Sequence, residues 1–190
     1  MKTEGAGDVE HREVLWQGQA FPTMEYASFD WNPLVIAGHG VVLWENVPAA
    51  FRYLIRTDRA GISRTFDAWT AVGGRERQAR LVRGELGLWC RDGQVVDALQ
   101  KCEDLDFSLT PATNTLAIRR LDLRPGEVVR VTALWITGPD LELKPLEQQY
   151  ERIDASTYRY TSLASGFEAV LAVDDAGIVL DYPGVWRQMQ

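Results

Sequence analysis

The sequence predicts a mainly β protein, and three observations carry that expectation. Apolar and polar residues alternate with period two over several stretches, as they do on a strand with one buried face. Turn residues punctuate these stretches roughly every ten positions, the spacing of an all-β body. Seven Trp, six Tyr and six Phe suit half-buried pleated surfaces better than helical ones.

The elements follow in order. In Phe51–Arg56, Phe51, Tyr53 and Ile55 share one face and Arg52 and Arg56 the other. Leu54 interrupts the polar side, so this strand is expected to be partly covered on both faces. Leu86–Cys90 runs into Arg91-Asp92-Gly93 and then Val95-Val96, a hairpin in which glycine supplies the positive φ of a tight turn. Asp104–Leu109 alternates again, with Leu105, Phe107 and Leu109 opposite Asp104, Asp106 and Ser108. Leu116–Leu123 reads as a further strand, Arg124-Pro125-Gly126 as a turn, and Glu127–Thr137 as a long strand. Near the end, Phe167–Asp174 alternates, Asp175-Ala176-Gly177 turns, and Ile178–Tyr182 completes a hairpin. Helical signal is confined to Pro145–Ile153, where Leu146, Tyr150 and Ile153 follow helical spacing behind a proline at a plausible first position. A strand over the same residues stays open. No linker, domain boundary or internal repeat is evident, so a flexible tail over residues 1–11 and one sheet-rich domain over 12–190 are expected, curled to hide its edges.

Composition narrows the functions. A chain of 190 residues buries roughly 70% of its unfolded surface, so neither a metal nor a disulfide is needed to hold it. Hydrophobic residues at 46% and charged residues at 25% are ordinary for a globular protein. The net charge of −7 argues against a nucleic-acid partner, which would need clustered cations. Lysine occurs only at 2, 101 and 144, so the positive charge is mostly arginine, suited to planar contacts with carboxylate or phosphate. Residues 1–18 are polar and acidic rather than signal-like. No stretch approaches the ~20 apolar residues of a membrane span. Cys90 and Cys102 are too few for a disulfide framework, and a reduced, cytoplasmic protein is expected.

One block is specific. Cys102-Glu103-Asp104-Leu105-Asp106-Phe107-Ser108-Leu109-Thr110-Pro111-Ala112-Thr113-Asn114-Thr115 continues into Leu116-Ala117-Ile118-Arg119-Arg120-Leu121. It resembles the signature of the family described as "Putative glycolipid-binding". Phe51-Arg-Tyr with Asp58 and Arg64 matches upstream. Gln149-Tyr150, Tyr158-Arg-Tyr160, Phe167, Asp174, Gly177 and Asp181-Tyr-Pro-Gly184 match downstream. The resemblance covers about residues 12 to 187. Ala117 stands where the family usually has proline, and Thr137-Gly138-Pro139 where it is more aromatic. The resemblance implies a spiral β-roll, with many antiparallel strands wrapped around one helix and the chain forming homodimers. It also implies similarity to bacterial lipoprotein-carrier folds, and fold alone does not fix function.

The charged residues of the block admit two readings. Asp104 and Asp106 on one strand face could hold a divalent metal for a nucleotide-sugar enzyme, or could pair with Arg119 and Arg120. On a strand those two arginines would point to opposite faces, one neutralising an acid and the other free to meet an anionic head group. Thr113-Asn114-Thr115 reads as a turn whose side chains serve the backbone, with ligand contact as the alternative. Asp58 and Arg64 look like a charged pair closing a hairpin. His11, in the N-terminal region, and His39, between two glycines in a loop, face no nucleophile motif. The cysteines lack zinc-site spacing. The tryptophans suit either sugar stacking or the interior of a rolled sheet. The candidate ligand-binding residues are Asp104, Asp106, Asn114, Arg119, Arg120, Arg56 and Arg64, with no metal and no cofactor expected. The leading expectation is a non-catalytic glycolipid- or lipid-binding protein. The alternatives are an enzyme of glycolipid or nucleotide-sugar metabolism using Asp104 and Asp106, and a dimeric scaffold with no small ligand.

Overall fold

The computed structural model describes residues 11–189. A first meander comprises β1 (His11–Gly18), β2 (Thr23–Asp30), β3 (Val35–Trp44) and β4 (Val47–Thr57). It continues through β5 (Ser63–Val72), β6 (Arg75–Arg83), β7 (Trp89–Arg91) and β8 (Gln94–Val95). A second comprises β9 (Asp104–Phe107), β10 (Val128–Thr137), β11 (Glu142–Arg152) and β12 (Thr157–Ser162). It ends with β13 (Phe167–Val173), β14 (Val179–Tyr182) and β15 (Trp186–Gln188). Helix α1 (Ala112–Leu121) lies between β9 and β10, and a 3-10 turn at Asp97–Leu99 lies between β8 and β9.

All fifteen strands form one sheet, in the order β8 down to β1, then β15 down to β9. The meanders join where Trp16 on β1 faces Gln188 on β15. The ladder between β9 and β10 is parallel, and α1 makes the crossover it requires. The sheet edges β8 and β9 are consecutive in the chain, and the segment between them spans the gap. Trp89 Nε1 donates to the Cys102 carbonyl at 3.0 Å and Glu103 N to the Thr132 carbonyl at 2.8 Å. An open sheet is thereby spared a long unpaired edge. The architecture is the mainly β roll around one helix that the sequence led us to expect.

Two segments exchange roles relative to expectation. Leu116–Leu123, read as a strand, mostly belongs to α1, while Pro145–Ile153, read as a helix, lies largely in β11. The first misreading follows from position. Seven consecutive residues of α1, Ala112 to Ile118, are buried, and a helix buried on all sides has no amphipathic period to display. The second follows from Pro145. It faces Leu134 on β10, but the ladder from β11 to β12 begins only at Gln148. Proline therefore stands where no second neighbour needs its missing N–H.

His39 lies in β3, not in a loop. Its flanking glycines have a packing cause. A Cβ on Gly38 would lie 2.4 Å from the Tyr53 ring, and one on Gly40 would lie 2.6 Å from the Phe51 ring. The bare backbone of β3 lets both rings from β4 lie across it towards β2.

An internal repeat emerges that the sequence reading did not register. Asp58-Arg59-Ala60-Gly61-Ile62 joins β4 to β5, and Asp174-Asp175-Ala176-Gly177-Ile178 joins β13 to β14. In each turn the aspartate Oδ1 accepts from the backbone N–H groups two and four residues on, at 2.8–3.0 Å. The glycines have φ of 79° in both turns, a conformation that disfavours other residues. Both turns press on the last turn of α1: Gly61 lies against Arg120, Gly177 against Ile118 and Arg119. The expected charged pair closes the first, with Arg64 Nη2 2.8 Å from Asp58 Oδ2. The proposed tail over 1–11 falls outside the described residues except for His11, which begins β1.

Gly38→Ala should destabilise the protein by about 1–3 kcal/mol, the cost of forcing an extra carbon into packed space. Chemical denaturation will measure it. At Gly93, where a Cβ meets open space, the φ of 80° leaves alanine a backbone cost of only about 1 kcal/mol.

Candidate functional site

Strand β9 carries the two signature acids into the interior, and their fates differ. Asp104 is buried, its side chain 3% exposed. Arg120, in the last turn of α1, meets both its oxygens, Nε to Oδ1 at 2.7 Å and Nη2 to Oδ2 at 2.6 Å. This bidentate pair fixes the helix to β9, since a buried charge is tolerated only when paired and hydrogen-bonded. Asp106, two residues on, meets no arginine within salt-bridge range among the described residues. Its Oδ2 accepts from the Gln148 side-chain amide of β11. Without a compensating cation, burial pushes its carboxyl up to about 6, the Gln148 bond opposing the rise.

Asp106 opens onto a cleft of about 400 Å³ between the first turn of α1 and the inner face of β10–β15. Ser108, Thr110 and Asn114 share its polar wall. Opposite them Tyr160, Phe167 and Tyr182 form a ring cluster with centroids 6.1–6.4 Å apart. Asn114 is already engaged: its Oδ1 accepts from Tyr150 Oη at 3.0 Å and its Nδ2 donates to the Pro111 carbonyl at 3.2 Å. Thr115 Oγ1 has no partner among the described residues, but Thr113 serves the backbone as expected, accepting from Phe107 N, and Thr110, outside the expected turn, accepts from Ala112 N. They do so at the start of a helix rather than in a turn between strands.

Behind Thr110 lies an acid that sequence reasoning missed. Glu25 on β2 is fully buried. Tyr53 Oη, reaching over Gly38, donates to its Oε1 at 2.6 Å and lies 3.0 Å from Thr110 Oγ1. The other oxygen, Oε2, has no partner among the described residues. Burial lifts this carboxyl to about 8, partly offset by the hydrogen bonds from Tyr53 and Thr110. Alternation placed either Thr23, Glu25 and Ala27 or Met24, Tyr26 and Ser28 inward, so the sequence held no decisive signal for it.

The remaining predicted residues scatter. Arg119 and Arg120 do not flank a strand. The helix sets them about 100° apart, at the end of α1 remote from the cleft's polar wall, in a second cavity. Arg64 is taken by Asp58. Arg56 points outward from β4 and is exposed. Asp104 and Asp106 share no metal-like geometry, and no cluster of three or more His, Cys, Asp or Glu suited to a metal occurs among the described residues. No helix of the described residues is long and apolar enough to cross a membrane.

The chain is thus an open β-roll wrapped around one helix, with a part-polar, part-aromatic cleft at the helix start. Residues 13–188 match the model of the family described as "Putative glycolipid-binding", and the chain belongs to that family. It is similar to a crystal structure of a DUF1089-family protein from Pseudomonas aeruginosa, with 29% identity and a TM-score of 0.76. The match covers 100% of this chain and 99% of that one. No curated protein matches.

Two outcomes are expected. Asp104→Ala should cost about 3–5 kcal/mol by stranding Arg120, while Asp106→Asn, which removes a charge that burial disfavours, should not destabilise the protein at neutral pH, both measured by urea denaturation. Raised carboxyl pKa values also give stability a sign with pH. Glu25 and Asp106 bind protons more tightly in the folded state, so their contribution is complete below the unfolded-state values of 4.5 and 3.8. It is lost as pH climbs through about 6 for Asp106 and about 8 for Glu25. Glu25→Gln should flatten the upper part of this decline, which denaturation midpoints across the range will show.

Proposed function

We propose that the protein binds a glycosylated amphiphile, without catalysing a reaction on it, and seats the sugar head group in the cleft beside Asp106. The observation that carries this reading is the pairing of walls: an acid not neutralised by arginine faces three clustered aromatic rings across one cleft. Sugars present hydroxyls to acids and amides and apolar C–H faces to aromatic rings, and mixed pockets of this kind orient small ligands. The family description points the same way. A cleft of about 400 Å³ is near the lower end of ordinary ligand pockets. It suits a head group and the first methylenes of a tail, with the rest of the chain outside. The enzyme alternative weakens because both oxygens of Asp104 are committed to Arg120, leaving Asp106 to act alone.

The finer parts of the reading are a reducing, cytoplasmic setting and a homodimer. The free thiols Cys90 and Cys102 suit the first. The second is supported by an outward apolar row running in register across four strands, Met24, Val41, Ala50 and Ala71. Light scattering at micromolar concentration will test it, and a monomeric mass would remove the dimer from the reading.

Ligand binding should raise the melting temperature by mass action, about 2.7 kcal/mol when free ligand stands a hundredfold above its dissociation constant. Alkyl glycosides below their micelle thresholds should bind, gaining about 0.8 kcal/mol per methylene buried and then levelling off after a few carbons. Asp106→Leu should weaken the glycosides while leaving a sugar-free alcohol of equal tail length unchanged. A thermal-shift series flat across all head groups would falsify the proposal.

A further inference from the structure

A second cavity, of about 370 Å³, lies at the opposite end of α1 from the cleft's polar wall, and Trp31, Arg59, Arg119 and Arg120 line it together with Asn32 and Asp58. Its charges can be followed one by one. Asp58 is spent: Oδ1 accepts two backbone N–H groups and Oδ2 accepts Arg64. Arg120 is spent on Asp104, with Glu103 a further 3.5 Å contact. Arg119 is not. It donates Nη1 to the Ala176 carbonyl at 3.0 Å, lies 4.4 Å over the Trp31 ring, and meets no carboxylate among the described residues. Arg59, on the tip of the repeated turn, is exposed and likewise without a carboxylate partner among the described residues.

Trp31 adds a donor. Its ring is stacked on Phe29 at 5.8 Å and 19°, with Arg119 over it. Its Nε1–H is shielded from solvent and has no acceptor among the described residues. The cavity therefore retains two uncompensated guanidinium groups, while the acid that lines it, Asp58, is already held by Arg64. In a protein of net charge −7 this is a local reversal of sign. The negative end of α1 opposes an anion here, but that effect is weaker than charge-assisted bonds from two guanidinium forks.

We propose that this cavity is an oxyanion site, distinct from the sugar cleft, that takes a phosphate monoester through Arg59 and Arg119 with Trp31 at its wall. The phosphate could be that of a lipid head group or of a soluble metabolite, the recognising chemistry being the same.

The test follows the Trp31 indole N–H by nuclear magnetic resonance in the full chain, assigned with Trp31→Phe. Inorganic phosphate at constant ionic strength should move this resonance saturably, whereas chloride alone should not. Arg119→Gln and Arg59→Gln should each weaken phosphate by about tenfold, the scale of one lost charge-assisted bond. A resonance that stays still, or that moves equally in chloride, overturns the site using the unmodified protein alone. Glycerol phosphate and a short-chain lysophosphatidic acid below its micelle threshold then separate the sources: tighter binding of the lipid supports a head-group site, equal binding a soluble ligand. Asp106→Leu should leave the phosphate response intact, so the two sites stand or fall separately.

Discussion

Asp104 has lost nearly all contact with water, and its charge is tolerable there because Arg120 meets both oxygens. One partner stands on the parallel edge strand β9 and the other on the last turn of α1. The pair thus joins the sheet to the helix it encloses, and much else depends on that register. With α1 pinned at this end, its first turn lies beside Phe107, which packs edge-on against Phe51, Tyr53 and Phe66 from the far side of the roll. Releasing the pair would free the helix along its axis and leave an unpaired charge inside, and each is costly.

The other end of the helix is held more gently, through Thr110, Tyr53 and Glu25. This chain of hydrogen bonds crosses from the second meander to the first. Its reach rests on the bare backbone of Gly38, over which the tyrosine ring lies. Burial of the Glu25 carboxyl, raised to about 8, makes this contact sensitive to protons.

Much of the fold was legible because strands with one buried face announce themselves by alternation. Phe51, Tyr53 and Ile55 point inward as read, and Arg52 and Arg56 outward. The hairpin closed by Asp58 and Arg64 was visible in residue type alone. Three features were not. Helix α1 is surrounded by protein, so its polar residues Thr113, Asn114 and Thr115 are inside and no face of it looks different from another. Leu146, Tyr150 and Ile153, in and just after strand β11, follow a helical-looking spacing, and Pro145 mimics a helix start. Glu25 sits on a strand both of whose faces read as half-polar. In the site, the choice between Arg119 and Arg120 as partner for Asp104 depended on helical rotation, which a strand reading could not supply.

The order of strands has a kinetic side. Along both meanders each strand lies beside its successor in the chain, and apart from the crossover through α1 between β9 and β10 those contacts close short loops, which cost little entropy. The seam between β1 and β15 is the extreme case, uniting residues separated by nearly the whole described length. Contacts of that separation slow folding because their entropy is spent before any packing repays it. Two ribbons can therefore form early and independently, with β1–β15 zippering them late around a helix that belongs to the second ribbon. A protein arranged this way opens along one line, and along that line Trp16 is locked in place by the hydrogen bond from its indole to Val179 at 2.8 Å.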